Sequence, residues 1–368
     1  MKTPIPRPGI DKIAAYVPGA SQAPGAPRVF KLSSNESPLG ASPAAIQALS
    51  AAATSLQLYP DGASTALRQA LADRHDLEAE RILCGCGSNE IIGLVAQAYL
   101  DSGDEAVIPR YGFSEFEIVT RANGGVPVMA AETDFTADVD AMLAAVTPRT
   151  RIVFLANPNN PTGTFLPAAE IRRLHAGLPP HVILLLDEAY AEYAGNPWES
   201  GLALARAAQN VVVTRTFSKI FGLASLRVGW GYFPVAMAEA INRIRFPFNV
   251  SSVAQAAAKA AMEDEVFLQA ARDHNDRWRP WLERKFTALG LRVTPSACNF
   301  LLVHLPEGKS AAEAYNALLI QGVIVRPLSA YGLPKALRIS VGSEEGNRTL
   351  IRSFATFMKR PAVGGNIS

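Results

Sequence analysis

Lys219 follows a run of apolar and β-branched residues, NVVVTRTF at 210–217, and Gly222 and Arg227 come shortly after it. Phe217, Ile220 and Phe221 flank this lysine. Poor hydration lowers an amine's pKa, which is the condition for a lysine that attacks a carbonyl group. A surface charge is the plainer alternative for a lysine taken alone. Asp187 ends a second apolar run, HVILLLD at 181–187, with Glu188, Ala189 and Tyr190 behind it. A carboxylate there is either functional or a helix cap. CGCGSNE at 84–90 passes from strand to helix. Glycine there admits an anion to the backbone, and the first helical N–H groups can hold a phosphate. NPNNPTG at 157–163 holds two X-Pro bonds, which stiffen the turn around Asn160 or make only a tight loop. Arg338 stands in the apolar segment LRISVG, where a structural ion pair is the plain explanation.

The surrounding pattern supplies the elements that must gather these residues. Short apolar runs at 81–87, 105–109, 151–157, 181–187 and 210–217 alternate with amphipathic stretches at 89–100, 113–123, 167–176 and 200–208. Continuous apolar strands separated by helices predict an α/β fold with a mainly parallel sheet covered on both faces. Such sheets bind ligands at the carboxyl ends of their strands, where Asp187 and Lys219 fall. Residues 1–40 are rich in proline, glycine and serine and read as an extended arm, followed by a large domain over 41–250. An alanine-rich stretch after Pro247 predicts one connecting helix over 251–285. A smaller α+β domain is expected over 286–368, with strands at 300–304, 322–326 and 336–341.

Bulk properties narrow the classes of function. The 368 residues are 49% apolar with a net charge of only +2, so a globular protein is expected, without a basic run for nucleic acid or an acidic membrane. Cys84 and Cys86 form a C-x-C pair with no second Cys/His cluster, and the five histidines are scattered, so no metal site is expected. MKTPIPRPGIDK has no apolar core of signal-peptide type, and no stretch reaches eighteen apolar residues. A cytoplasmic location with reduced thiols is the expectation.

GSNE, NPNNPTG, DEAY and TFSK-x-FGL-x-x-LRVGW occur in the order and spacing of the fold-type-I aminotransferases, and the resemblance runs from about residue 10 to 360. It implies an aspartate-aminotransferase-like fold with a seven-stranded sheet, and pyridoxal 5'-phosphate as cofactor. Lys219 resembles the lysine that binds the cofactor covalently and moves the substrate proton. Asp187 matches the carboxylate paired with the pyridine nitrogen. Tyr190 and Asn160 resemble the pair on the ring hydroxyl, and Tyr111 the aromatic stacked on the ring. Ser88 and Asn89 are implied to give backbone N–H groups to the cofactor phosphate, with Thr216, Ser218 and Arg227 around its other oxygens. Arg338 matches the arginine that grips the substrate α-carboxylate through its bidentate fork.

The nearer resemblance is to the histidinol-phosphate aminotransferases. AAYVPG with Tyr16, KLSSNESPLG, LYPDGASTALRQALA with Tyr59, and GVIVRPLSAYGLPKALRISVGSEEGN with Arg326 and Arg338 are similar to that family's blocks. It implies exchange of an amino group between histidinol phosphate and 2-oxoglutarate, in histidine biosynthesis, by a ping-pong mechanism. One pocket must then accept a phosphate in one half-reaction and carboxylates in the other, which two arginines with tyrosine hydroxyls can serve. Tyr16, Tyr59, Asn160, Arg326 and Arg338 are the implied substrate residues. The family's counterpart of Tyr59 reaches into the partner subunit, which implies a homodimer. Relatives of this type also include aromatic amino acid aminotransferases, which need the same core plus an apolar side-chain pocket. They include threonine-phosphate decarboxylases as well, which need the substrate carboxylate perpendicular to the ring, an angle that no sequence motif reports.

Overall fold

The computed structural model describes residues 4–7, 9–14, 20 and 22–359, so Tyr16 lies outside the described residues. In chain order the strands are β1 (Phe30–Lys31), β2 (Ile82–Gly85), β3 (Glu105–Pro109), β4 (Val126–Ala130), β5 (Glu132–Thr133) and β6 (Thr136–Ala137). Then come β7 (Thr150–Ala156), β8 (Ile183–Asp187), β9 (Val211–Thr216) and β10 (Gly229–Tyr232). β11 (Arg292–Thr294), β12 (Phe300–His304), β13 (Val323–Ile324), β14 (Arg326–Leu328) and β15 (Leu333–Ser340) complete the set.

Seven strands form the large sheet in the order β2-β10-β9-β8-β7-β3-β4. β3, β4, β7, β8 and β9 pair in parallel, and β10 is antiparallel to both neighbours. β8 and β9 are buried along their whole lengths, as the central strands of a sheet covered on both faces must be. The expected helices appear as Ser88–Tyr99, Ser114–Ala122, Ala168–Gly177 and Leu202–Ala207. Two apolar clusters lie against the sheet. One contains Val153, Leu184 and Val213, and the other Phe154, Leu185 and Val212, so successive strand residues feed opposite faces.

The expectation of one connecting helix over 251–285 is corrected. The stretch is two helices, Ser252–Glu263 and Glu265–Ala288, broken at Asp264. Asp264 leaves helical geometry at ψ 73° and its carboxylate accepts from the Phe267 amide at 3.0 Å, so it acts as an N-cap within a helix-forming sequence. The first helix buries Ala254, Ala257, Ala258 and Ala261 in a cluster of the large sheet. The second begins there with Leu268 and Ala271 and ends among Trp278, Leu282 and Phe286 of a separate core.

That separate core is capped by an antiparallel sheet, β11-β12-β15-β14. The run expected at 322–326 is divided into β13 and β14, and the last strand starts earlier than expected, at Leu333. The N-terminal arm is tied to this part of the molecule: β1 pairs in parallel with β13, and Phe30 and Leu32 amides donate to Gly322 and Ile324 carbonyls at 2.7 Å. Ser33, Ser34 and Asn35 are thereby led towards the ends of the large sheet's strands. No described helix is long and apolar enough to cross a membrane, and among the described residues no group of three or more His, Cys, Asp or Glu could hold a metal ion.

Candidate active site

A cleft of about 320 Å³ opens at the carboxyl ends of β7, β8 and β9, and Ala156, Asp187 and Thr216 at those ends all line it. Lys219 enters it from the turn after β9. Phe217, Ile220 and Phe221 are buried and anchor this turn, while the lysine is half-buried and its Nζ donates to the Ser34 carbonyl at 3.3 Å. Nζ lies 5.7 Å from the centre of the Tyr190 ring. Burial, and then the Arg338 charge, push the amine down from its ordinary value to about 8.

Asp187 is buried, and Thr214 is its register partner across β8 and β9. Thr214 Oγ1 donates to Asp187 Oδ1 at 2.7 Å. Burial raises the carboxyl to about 6, against the lowering effect of the Thr214 hydrogen bond. The helix-cap alternative for Asp187 is set aside, because turns follow it and the next helix starts only at Leu202. Tyr190 is buried edge-on against Phe300, and its hydroxyl accepts from Asn35 Nδ2 at 2.8 Å. Burial pushes that hydroxyl's pKa up. Asn160 Oδ1 accepts from Arg338 Nη1. Both X-Pro bonds of the NPNNPTG turn are cis, and Asn157 exchanges two hydrogen bonds with the Leu166 backbone to hold the loop.

One end of the cleft is built for an anion. The helix Ser88–Tyr99 begins there, so its free N–H groups and the positive end of its dipole face the cleft. Gly87, at φ 77°, precedes it, and a Cβ there would come within 2.5 Å of Arg227 Nη2. A Cβ on Gly229 would likewise stand 2.5 Å from the Ser88 nitrogen. Glycine at both positions lets the guanidinium and the helix start approach each other. Arg227 Nη1 donates to Ser218 Oγ at 3.3 Å, and Thr216 Oγ1 accepts from the Ser218 amide at 3.1 Å. Thus Ser88, Asn89, Thr216, Ser218 and Arg227 surround one spot.

Arg326 and Arg338 are direct partners across β14 and β15, so their side chains leave the same face of the small sheet. Arg338 Nη2 donates to the Ser33 carbonyl at 2.6 Å, and its guanidinium lies over Phe300. Like charges directly opposite each other destabilise a sheet. A shared anion is one physical reason to keep them there. Of the expected residues, Tyr59, Tyr111, Arg326 and Arg338 do not line this cleft, although Arg338 meets its wall through Asn160. Tyr111 packs on Phe135 with ring centres 5.6 Å apart, and Phe113, two residues on, lines the cleft instead. Tyr59 is 82% exposed and stacks on Phe248 at 4.7 Å. Leu56, Leu58 and Phe246 are exposed as well.

Sequence reasoning missed Asn35 and Thr214, the partners of Tyr190 and Asp187. Thr214 stands two residues before Thr216, so strand alternation places both on one face and was a usable signal. Asn35 had only its place in the SSNES block, with no local rule linking it to Tyr190.

The class I and II aminotransferase family model matches residues 27–354. A histidinol-phosphate aminotransferase of Rhodopseudomonas palustris is 52% identical over 366 residues, 98% of this chain and 100% of that one. One from Nitrobacter hamburgensis is 51% identical, over 97% of this chain and 99% of its own. Among solved structures, histidinol-phosphate aminotransferase from Sinorhizobium meliloti in complex with pyridoxal-5'-phosphate superposes with a TM-score of 0.86. It is 29% identical and covers 90% of this chain and 92% of its own. Thermus thermophilus aspartate aminotransferase with maleate gives a TM-score of 0.80 at 25% identity, over 89% of this chain and 91% of its own. With family model, relatives and cleft in agreement, the chain belongs to the class I and II aminotransferases, and within them to the family of the histidinol-phosphate aminotransferases.

Proposed function

We propose that the chain is a pyridoxal 5'-phosphate-dependent histidinol-phosphate aminotransferase, exchanging an amino group between L-histidinol phosphate and 2-oxoglutarate in histidine biosynthesis. One observation carries the reading. A lysine with a lowered pKa and a buried carboxylate open into the same cleft, beside a helix N-terminus backed by an arginine. This donor set fits the cofactor: the anion-holding end matches a phosphate, Asp187 a protonated ring nitrogen, and Lys219 an aldehyde carbon. When bound, pyridoxal 5'-phosphate supplies the aldehyde and the electron-withdrawing ring.

The chain's own residues then have distinct tasks. Lys219 holds the cofactor and moves the proton to and from the substrate carbon with its Nζ. Asp187 keeps a proton on the ring nitrogen through its negative charge. Asn35 fixes the Tyr190 hydroxyl, and Arg338 fixes Asn160, so that both polar groups meet the ring hydroxyl in set directions. Ser88, Asn89, Thr216, Ser218 and Arg227 bind the cofactor phosphate, and Phe113 or Tyr111 covers the ring. Arg326 and Arg338 grip the substrate anion. They take a phosphate from one substrate and carboxylates from the other, which supports two half-reactions in one cleft.

The proposed assembly is a homodimer in which Tyr59 enters the partner's cleft. An exposed apolar group of Leu56, Leu58, Phe246 and the Tyr59–Phe248 stack supports it. The proposed division is a large domain over 41–250, linking helices, and a small domain over 286–368 to which the arm of residues 1–40 belongs. A cytoplasmic setting suits the three free thiols Cys84, Cys86 and Cys298.

Arg326→Ala tests the substrate. The kcat/KM for histidinol phosphate should fall by about 2–4 kcal/mol equivalent, the loss when one partner leaves a desolvated ion pair. Phenylalanine, which lacks the phosphate, should suffer less. Tyr59→Phe should cost about 1–2 kcal/mol in the same direction, one hydrogen bond's worth. Steady-state kinetics on both donors decides: equal losses on both would sink the phosphate clamp and favour an aromatic amino acid aminotransferase. Mixing Lys219→Ala subunits with subunits disrupted at Tyr59 should restore part of the activity, because one mixed site keeps both native residues. No recovery after confirmed subunit exchange would return Tyr59 to its own subunit.

A further inference from the structure

Behind the strand ends that carry the cleft lies a second cross-strand pair. Side chains alternate along a strand, so Glu188 and Arg215, the residues after Asp187 and Thr214, point to the opposite face. The Glu188 amide donates to the Thr214 carbonyl at 2.8 Å, which continues the β8–β9 ladder past Asp187. Arg215 Nε and Nη2 both donate to Glu188 Oε2, at 3.1 and 2.8 Å. Their side chains are only 7% and 2% exposed. Ser200 Oγ donates to the same Oε2 at 2.7 Å and accepts from Arg215 Nη2 at 2.8 Å, while the Gly201 amide donates to Glu188 Oε1 at 2.5 Å. Arg215 also reaches Glu192 at 3.5 Å and lies over the ring of Trp230, its register partner on β10.

A buried pair of this kind costs desolvation on both sides, and well-packed apolar residues in its place are often as stable or more so. Stability alone therefore gives no reason for two charges here. What the pair adds is direction: five hydrogen bonds fix the β8 and β9 ends against each other and against the 200–201 turn. Asp187, Thr214 and Thr216 all stand on the cleft side of those ends.

We propose that Glu188 and Arg215 are positioning residues for the proposed reaction, locking the strand ends so that Asp187, held by Thr214, meets the cofactor's ring nitrogen in one fixed geometry. The inference rests on the role given to Asp187 above. The negative charge of Glu188 also raises the Asp187 pKa, so the pair bears on the acid strength of that carboxylate as well as on its place.

The test uses the double variant Glu188→Gln/Arg215→Met, which removes both charges of the pair, although Glu192 also loses its contact with Arg215. Its apoprotein should still melt cooperatively. Its kcat should fall about tenfold to a hundredfold, the cost of a small misplacement at a reacting centre, with KM for histidinol phosphate within about twofold. Its affinity for pyridoxal 5'-phosphate should weaken, and the pH midpoint of the holoenzyme's visible absorption should move. A folded double variant with parental kcat, cofactor affinity and absorption midpoint overturns the proposal and leaves the pair structural. Should the double variant fail to fold, Arg215→Lys decides, since it keeps the charge and loses the bidentate fork. The same combined losses in Arg215→Lys support the proposal, and parental values in all three readouts overturn it. Asp187→Asn separates the two levels: if that variant is impaired while the pair variants are not, only the positioning role fails.

Discussion

Lys219→Ala is expected to abolish turnover, by at least about four orders of magnitude, because one side chain serves as both nucleophile and proton carrier. Its amine is held at about 8 by burial and by Arg338. Near pH ~7.5 roughly a quarter of such amines are unprotonated, against roughly one in a thousand at the ordinary lysine value. The free-amine form attacks an aldehyde, so the burial of Lys219 has a direct chemical consequence. The variant should still bind pyridoxal 5'-phosphate through the Ser88, Ser218 and Arg227 end of the cleft, without covalent attachment. Borohydride reduction of the parent followed by peptide mapping should find the cofactor on Lys219. A reduced adduct on any other lysine would overturn the assignment. So would retention of the covalent absorption band by the alanine variant.

The lysine and the carboxylate were legible because each ends a continuous apolar run, and β8 and β9 end within one residue of where those runs predict. Parallel strands buried on both faces have few alternatives in sequence, and the site follows from their shared direction. β10 was not legible as a strand. Gly229 and Gly231 break the apolar run, yet a Cβ on Gly229 would stand 2.5 Å from the Ser88 nitrogen and one on Gly231 2.6 Å from the Phe233 ring, so both glycines are needed for close packing. The break at Asp264 was hidden by helix-forming residues on both sides of a single cap. Contacts between distant segments carry the weakest sequence signal: Asn35 to Tyr190, or Ser33 to Arg338, depends on the arm lying along β13, which no local pattern encodes. The position of Phe113 rather than Tyr111 on the cleft wall depends likewise on a turn whose amide at Tyr111 is held by Glu132.

Asp187→Asn is expected to lower turnover by about a thousandfold or more, with cofactor affinity falling much less, because it removes charge while keeping shape. Asparagine can still accept from Thr214 Oγ1, so the β8–β9 pairing should survive and the loss should be electronic. Without the negative charge the ring nitrogen has a lower pKa and loses its proton, and the ring then draws electrons more weakly from the substrate carbon. The pH dependence gives a second measurement with a definite sign. In the free protein the carboxyl is raised to about 6 by burial. As pH falls through that value Asp187 takes up a proton and the charge that pairs with the ring nitrogen is lost. Affinity of the parent for pyridoxal 5'-phosphate should therefore weaken below about pH 6, whereas Asp187→Asn should lack this component. The cofactor phosphate ionises in a similar range, at about 6, but it does so in both proteins. The difference between the two binding curves isolates the carboxylate. Superimposable curves, or near-parental turnover in the variant, would reduce Asp187 to a residue that only closes the end of its strand.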